Sequence, residues 1–277
     1  MTTPSKSHSA SIGSIYIGSG EALAVIAGPC VIESRDHTLR MAERINEICK
    51  KRDVRLIFKA SFDKANRTSI HSFRGPGLHT GLEILGAVRR EFGVPVLSDI
   101  HCPDQAMAAG EALDCLQIPA FLCRQTDLLV AAAATKRCVN VKKGQFVSPE
   151  EMSNVAVKLR ESGCDNYLFT ERGTVFGYQR LVNDMTAVPI MQQWAPVVFD
   201  ATHSCQLPGG AGTQSGGLRQ FIPTLALAGV AAGADALFLE VHDDPEHAKS
   251  DAATQYPLAQ LDDLLVRVMR VAEARGH

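Results

Sequence analysis

The chain has 277 residues, which is enough for one large domain with a sizeable core. Because 28 lysines and arginines face 30 aspartates and glutamates, the net charge of −2 provides no global field that would attract nucleic acid or an anionic membrane. The eight cysteines include no Cys-x-x-Cys pair, and the longest apolar run, Leu225–Leu239, is too short to span a bilayer, so we expect a cytoplasmic protein without a membrane segment.

The N-terminal residues 1–10 are polar and lack the apolar segment of a secretory signal. We therefore expect a polar tail over 1–10, followed by a single domain over 11–277. At the start of this domain, Ile12–Ile17 alternates apolar and small residues before Gly18-Ser-Gly20, which predicts one half of a β-hairpin.

Eight short apolar or β-branched runs follow at even spacing. The predicted strands are Leu23–Ala27, Arg55–Lys59, Pro95–Asp99, Cys115–Pro119, Cys138–Lys142, Asn166–Thr170, Val197–Ala201 and Ala236–Val241. Helical periodicity fills the intervals at Asp36–Lys51, Thr80–Phe92, Pro103–Leu113, Thr126–Thr135, Pro149–Ser162, Leu218–Gly233 and Pro257–Ala274. This alternation favours an α/β protein with a (β/α)8 TIM barrel over an open doubly wound sheet. We expect the early hairpin to close the bottom of the barrel.

Charged and reactive side chains come where the predicted strands end, which is where the active site of such a barrel forms. They are Cys30, Lys59, Lys64, Asp99, His101, Gln117, Lys142, Lys143, Arg172, His203, Glu240 and His242. The residues around the strand starts are largely apolar, for example Val94-Pro95 and Ala195-Pro196. The distribution indicates a functional site at one face of the barrel.

Cationic residues form one subset of these side chains. Lys59, Lys64 and Arg67 come directly after the apolar run Leu56–Phe58, and small or polar residues lie between them. Solvated loop lysines are the alternative interpretation, but buried ammonium groups need anionic partners. Together with Lys142 and Arg172, these residues predict one or two sites for phosphate or carboxylate groups.

A second subset offers ligands for a divalent transition metal. Cys30, His203, Glu240 and Asp251 supply thiolate, imidazole and carboxylate groups. Taken singly, a cysteine after Gly-Pro is more often a packed thiol, but the arrival of these groups at one barrel face favours a metal site. His242 and Asp99 are alternative ligands.

The loop 204–217 after His203 is rich in glycine at 209–217. It fits no nucleotide-binding fingerprint. A mobile lid over the substrate is expected, and a flexible connector is the alternative.

Several motifs together resemble those of the 3-deoxy-D-manno-octulosonate 8-phosphate synthase family over nearly the whole chain. They lie at Ala27–Cys30, Phe58–Ser69, His71–Gly77, Gln117–Asp127, Asn140–Lys143, Glu171–Gly173, Asp200–His203 and Glu240–His247. The resemblance implies a transferase that condenses phosphoenolpyruvate with D-arabinose 5-phosphate and water, which yields phosphate and the eight-carbon sugar acid phosphate of lipopolysaccharide biosynthesis. The alternatives are the related 3-deoxy-D-arabino-heptulosonate 7-phosphate synthase, which uses erythrose 4-phosphate, and a non-catalytic sugar-phosphate sensor.

The resemblance also implies roles for individual residues. The implied catalytic residues are Lys59, Lys64, Asp99 and His203, and the implied substrate-binding residues are Asn66, Arg67, Thr68, Gln117, Arg124, Lys142 and Arg172. Within the second set, Lys142 and Arg172 would hold the phosphate of phosphoenolpyruvate. The residues at 66–68 would bind the sugar phosphate, and Arg124 would reach it from a neighbouring subunit of a homotetramer.

The cysteine after Gly28-Pro29 is typical of the metal-dependent members of that family, whereas metal-independent members have asparagine there. The resemblance therefore implies a Zn, Mn, Fe or Co ion. Its ligands would be Cys30, His203, Glu240 and Asp251.

Overall fold

The computed structural model describes residues 8–67, 69–178, 180–211 and 214–275. Its strands are β1 (Ser9–Ile12), β2 (Ile15–Gly18), β3 (Ala24–Gly28), β4 (Arg55–Lys59), β5 (Val96–Asp99), β6 (Cys115–Ile118), β7 (Cys138–Lys142), β8 (Tyr167–Glu171), β9 (Thr174–Gly177), β10 (Arg180–Val182), β11 (Val197–Asp200), β12 (Gln206–Ala211), β13 (Gln214–Gly217), β14 (Ala236–His242) and β15 (Tyr256–Pro257). Its α-helices are α1 (Arg35–Lys51), α2 (Leu78–Phe92), α3 (Ala106–Ala112), α4 (Thr126–Ala134), α5 (Met152–Glu161), α6 (Ala187–Met191), α7 (Ile222–Ala231) and α8 (Leu261–Ala274).

The predicted barrel is confirmed. Strands β3 to β8, β11 and β14 pair in parallel in that order, and β14 pairs with β3, so the sheet closes. The register of that closing pair runs from Ala236 opposite Ala24 to Glu240 opposite Gly28. Every predicted barrel strand is present, with ends that agree to within one residue. The agreement follows from burial, because parallel strands covered on both faces read as continuous apolar runs.

The helices pack against the barrel through apolar side chains. In α1, Met41, Ile45 and Cys49 recur every four residues and are fully buried or nearly so. Ser34 caps this helix by accepting the His37 N–H at 3.2 Å. These contacts hold the carboxyl ends of the strands, and hence the site, in fixed register.

A complete hairpin lies at the bottom of the barrel. Strands β1 and β2 pair antiparallel, with Ile12 opposite Ile15, and Gly13 adopts a φ of +58° in the tight turn between them. The prediction that Ile12–Ile17 forms one strand is therefore wrong, because the chain reverses inside it. The first strand also begins at Ser9, inside the segment expected to be a polar tail.

The hairpin closes the barrel as predicted. Its apolar residues Ala10, Ile12, Ile15 and Ile17 form one buried cluster with interior side chains near the strand starts, among them Ala24, Cys115, Cys138 and Ala236. Asn166, just before β8, holds it in place by donating to Ser11 O at 2.9 Å and accepting the Ser11 N–H at 2.8 Å. The lower end of the barrel is consequently filled with side chains.

The remaining differences lie in helix starts and short elements. The α-helices predicted to begin at Pro103, Leu218 and Pro257 begin at Ala106, Ile222 and Leu261, because a 3₁₀ turn precedes each of them. The helix predicted at Pro149–Ser162 begins at Met152. The residues before it form a tighter turn with hydrogen bonds between residues three apart, such as Met152 N–H to Pro149 O at 3.2 Å. Helix α6 and the hairpins β9–β10 and β12–β13 were not predicted. The glycine-rich segment thus contains the paired strands β12 and β13. For this segment the sequence had suggested a mobile lid, with a flexible connector as the alternative. None of the helices in the described ranges combines the length and apolar character needed to cross a membrane.

Candidate active site

A cleft opens at the carboxyl ends of the barrel strands. Its lining includes Lys59, Lys64, Asn66, Arg67, Asp99, Lys142, Gln145, Arg172, His203 and Asp251. The structure thus brings together most of the side chains that the strand ends predicted. The deep residues Lys59, Lys142 and Arg172 are each at most 6% exposed, whereas Asn66 at the rim is exposed.

Lys59 lies at the end of β4, between two carboxylates. Its Nζ donates to Glu240 Oε1 at 2.8 Å and lies 4.0 Å from Asp99 Oδ2. Lys64 Nζ is 3.7 Å from Glu240 and 4.0 Å from Asp99. Burial alone would raise the pKa of both carboxyls, but the neighbouring cations outweigh it and hold each pKa below its usual range. Both carboxylates are therefore charged at neutral pH.

Asp200, at the end of β11, organises the opposite wall, and the sequence had not singled it out as a site residue. Its Oδ2 accepts from Lys142 Nζ at 2.6 Å and lies 2.6 Å from His203 Nδ1. Burial would raise the pKa of Asp200, yet His203 and Lys142 lower it well below the ordinary value. The pairing directs the other ring nitrogen of His203, Nε2, toward Glu240 Oε2 at 3.5 Å.

Arg172 and Lys142 are buried cations. Arg172 donates from Nη2 to Gln206 Oε1 at 2.7 Å, whereas its buried Nη1 has no hydrogen-bond partner among the described residues. Burial lowers the pKa of Arg172, and it lowers the pKa of Lys142 against the opposing effect of Asp200. A dry, incompletely paired guanidinium is a favourable binding partner for an anionic group.

Gln117 does not line the cleft. Its Nε2 donates to Asp99 Oδ1 at 2.6 Å, and its Oε1 accepts from Asn140 Nδ2 at 2.8 Å. Asn140 Oδ1 in turn accepts from Thr170 Oγ1 at 2.8 Å. This buried chain crosses four neighbouring strands and fixes Asp99 from below. Asn140 and Thr170 were not predicted from the sequence to support the site. Their positions as polar residues inside consecutive buried strands could have indicated this role.

Three of the four predicted metal ligands lie together. Ligand atoms of Cys30, Glu240 and Asp251 all lie within 4.8 Å of one another. Cys30 Sγ is 3.3 Å from Asp251 Oδ2 and 2.8 Å from Ser250 Oγ. His203 lies at the edge of this trio, with Nε2 3.8 Å from Asp251 Oδ2.

The donor set suits a divalent transition metal. One sulfur, two carboxylates and one imidazole at close range are ligands of this class. Glu240 Oε2 is buried and has no hydrogen-bond partner within the described ranges, as expected for an oxygen reserved for a cation. Burial and the charge of Glu240 raise the pKa of the Cys30 thiol well above its ordinary value, so metal binding would displace a proton. Of the two alternative ligands, His242 lies beside Glu33, and Asp99 is held by Ser61 and Gln117.

The rim carries the residues predicted to bind the sugar phosphate. Arg67 donates from Nε to Phe73 O at 3.0 Å and from Nη2 to Lys249 O at 3.3 Å. Asn66 lies beside it in the lining, and Thr68 lies outside the described residues. Arg124 is exposed and does not line the cleft of this chain.

Residues 3–274 match the DAHP synthetase I family. The chain belongs to this family. Within it, the chain is 59% identical over 259 residues to a protein of Koribacter versatilis named 2-dehydro-3-deoxyphosphooctonate aldolase, a match that covers 92% of this chain and 93% of the relative. A protein of Trichlorobacter lovleyi with the same name is 57% identical, with coverage of 93% and 95%. A third relative of that name, from Geobacter sp. strain M21, is 54% identical, with coverage of 94% and 96%.

The name 2-dehydro-3-deoxyphosphooctonate aldolase is an alternative name for 3-deoxy-D-manno-octulosonate 8-phosphate synthase, the family that the sequence motifs resemble. The match extends over barrel and site together, because it covers more than nine-tenths of the chain in each case.

Proposed function

We propose that the chain condenses phosphoenolpyruvate with D-arabinose 5-phosphate and water to give 3-deoxy-D-manno-octulosonate 8-phosphate and phosphate, in the cytoplasmic biosynthesis of lipopolysaccharide. The observation that carries this proposal is one cleft with deep, incompletely paired cations beside a cluster of thiol and carboxylate ligands. The identity of 54–59% to relatives named for this activity supports it.

Phosphoenolpyruvate binds at the bottom of the cleft. Lys142 and Arg172 take its phosphate, since both are buried cations and Arg172 Nη1 lacks a partner in the described part of the chain. Lys59 and Lys64 take its carboxylate. Gln117 contributes indirectly, because its amide holds Asp99 and is already engaged at both ends. Cations preorganised in a dry site stabilise charge that develops as the phosphate leaves.

The sugar phosphate binds at the rim through Asn66, Arg67 and Thr68. The guanidinium of Arg67 is anchored by two backbone carbonyls, which fixes its plane for a bidentate contact with phosphate oxygens. This arrangement places the aldehyde end of the sugar toward the deep site.

A Zn, Mn, Fe or Co ion fits the cluster of Cys30, His203, Glu240 and Asp251. When bound, such an ion supplies Lewis acidity and orients oxygen ligands. The paired Asp200 then has a clear function, since it fixes the ring of His203 through Nδ1 and leaves Nε2 toward the ligand cluster.

The reaction joins the methylene carbon of phosphoenolpyruvate to the aldehyde carbon. Water adds to the carbon that bears the phosphate ester, the aldehyde oxygen takes up a proton, and the carbon–oxygen bond to phosphate breaks. Asp99 lines the cleft and is the group that moves these protons. His203 contributes to catalysis as a ligand of the proposed ion, because its Nδ1 is bound to Asp200 and its Nε2 faces the ligand cluster. Lys59 and Lys64 keep Asp99 ionised, so Asp99 begins as a proton acceptor.

The active form is a homotetramer in which Arg124 reaches the site of a neighbouring subunit. Large apolar side chains are exposed in the loops that follow β6 and β7 and in the hairpin β9–β10, namely Phe121, Phe146, Val175, Phe176 and Tyr178. The Val175 N–H donates to Gln145 O at 2.9 Å, which places two of these segments side by side. Exposed apolar residues grouped in this way are typical of a subunit interface.

Incubation of the purified protein with phosphoenolpyruvate and either arabinose 5-phosphate or erythrose 4-phosphate tests the reaction through phosphate release. We expect rapid release with arabinose 5-phosphate, loss of activity on chelation, and recovery with added divalent metal. Preference for erythrose 4-phosphate would favour the heptulosonate synthase, and binding without turnover would favour a sensor. Full activity in a metal-free preparation would refute the metal centre alone.

A further inference from the structure

The Glu33 side chain lies outside the cleft lining, on the segment that precedes α1. Its Oε1 accepts the backbone N–H of Lys249 at 2.8 Å and lies 3.2 Å from His242 Nε2. The carboxylate is only 12% exposed. Burial would raise the pKa of Glu33, but the bonds from His242 and Lys249 lower it, so the oxygen is a charged acceptor.

The two partners of Glu33 belong to the segments that carry the candidate metal ligands. Glu33 follows Cys30 by three residues, and His242 follows Glu240 by two. Lys249 precedes Asp251 by two residues. One partly buried carboxylate oxygen therefore ties together the three chain segments that supply the trio of ligands.

The Lys249 N–H bond to Glu33 is one of the contacts that hold the segment with Asp251. This segment belongs to the long connection between β14 and β15, and Asp251 has a left-handed φ of +46°. Residues other than glycine seldom adopt this conformation, although aspartate tolerates it better than most, and neighbouring contacts help to hold it. The Lys249 bond to Glu33 and the Cys30 N–H bond to Gln255 Oε1, at 3.1 Å, are two such contacts.

Glu33, His37 and His242 also lie close enough together to be considered as a cation site. The hydrogen bonds of His242 argue against that reading. In its neutral form, Nδ1 accepts the Asp244 N–H at 2.9 Å, so Nε2 carries the proton toward Glu33. In its cationic form both nitrogens carry protons. Neither form leaves a lone pair for a metal.

The cluster is instead built to orient His242. The ring of His37 packs against it with centroids 4.6 Å apart. His37 Nε2 lies 3.0 Å from Asp243 Oδ1, which fixes the ring of His37 in turn. A histidine held in this way presents Nε2–H to Glu33 in one direction only.

We infer that Glu33 is a positioning residue for the metal centre, because it holds the segments of Cys30, Glu240 and Asp251 in the spacing that binds an ion. The inference rests on the metal centre proposed above. Outer partners of metal sites typically change metal affinity by about 10–100-fold when they are removed. Only an oxygen acceptor is required of Glu33, so an amide oxygen should serve nearly as well.

The test compares Glu33→Ala with Glu33→Gln. Metal is removed from the purified proteins, and the dissociation constant for Zn²⁺ is measured by competition with a chelator of known affinity. We expect Glu33→Ala to bind Zn²⁺ about 10–100-fold more weakly than the parent protein, and Glu33→Gln to remain within about threefold. With Co²⁺ as probe, the thiolate-to-metal absorption band should weaken in the alanine variant and persist in the glutamine variant.

Asp114→Asn is the matched control. Asp114 also accepts a backbone N–H, that of Val96 at 2.9 Å, but just before β6, at the opposite end of the barrel. Its substitution should leave Zn²⁺ affinity unchanged. Hydrogen exchange of the metal-free proteins adds a readout that needs no ion, since the amide of Lys249 should lose protection in Glu33→Ala alone.

The outcomes separate the inference from the proposed function. Parental Zn²⁺ affinity in Glu33→Ala would overturn the positioning role and leave the metal centre intact. Equal weakening by alanine and glutamine would also overturn it, because charge and not geometry would then be responsible. A parent protein that binds no ion would overturn the metal centre and this inference together. Two bound ions in the parent and one in Glu33→Ala would show a second cation site instead.

Discussion

Arg67→Ala separates the two proposed substrate sites. Two of the five guanidinium N–H donors are engaged with the carbonyls of Phe73 and Lys249, and three have no other partner among the described residues. A charge-assisted bond to phosphate contributes about 1.5–3 kcal/mol. Loss of one such bond lowers kcat/KM for arabinose 5-phosphate about 10- to 150-fold. The KM for phosphoenolpyruvate should change less than about threefold, because Lys142 and Arg172 are intact.

The assay is steady-state phosphate release with each substrate varied in turn. Arg74→Ala is the matched control, since Arg74 lies in the same loop but its guanidinium is bound to Asp63, with Nε at 2.7 Å from Oδ1. We expect near-parental kinetics for this variant. Equal losses for both substrates in Arg67→Ala, or a comparable loss in Arg74→Ala, would show that Arg67 does not bind the sugar phosphate selectively.

Four further variants test the site and the packing of the barrel. Lys142→Ala and Arg172→Ala should each lower kcat about 10²–10³-fold, because a preorganised cation is removed from the leaving phosphate; near-normal turnover would place phosphoenolpyruvate elsewhere. Cys30→Asn should lose tight metal binding, measured by metal analysis after dialysis, and should retain some chelator-resistant turnover if the ion mainly orients ligands; unchanged metal content would exclude Cys30 as a ligand. Gly229→Ala should lower the free energy of unfolding in urea by about 1–3 kcal/mol, because the added methyl group would overlap the ring of Phe199; an unchanged midpoint would show that this ring can move aside.

The barrel could be predicted because its strands are short, buried and apolar from end to end. The exposed hairpin β9–β10 could not, since three of its four residues at 174–177 are exposed and carry no burial pattern. The turn at Gly13 was missed because apolar residues continue at the same alternation on both sides of it, so the sequence alone reads as one strand.

Site residues were predictable where a strand delivers a charged group to the cleft. Lys59 and Lys142 are of this kind. Asp200 and Glu33 were missed because their roles depend on partners far away in the sequence, such as Lys142 for Asp200, 58 residues apart. Gln117 illustrates a different difficulty. The sequence suggests that this strand-end amide binds substrate, but in the structure its nitrogen donates to Asp99 and its oxygen accepts from Asn140.

The hairpin β1–β2 affects how substrates reach the site, because its side chains fill the lower end of the barrel. Within the described ranges the lower end is filled with side chains and the cleft opens at the carboxyl ends of the strands, so substrates and products would both pass through this opening. Under the proposed assignments, phosphoenolpyruvate lies at the depth of Lys142 and the sugar phosphate lies at the rim beside Arg67. Under those assignments a sugar seated at the rim would narrow the path to the deep site, which favours entry of phosphoenolpyruvate before the sugar.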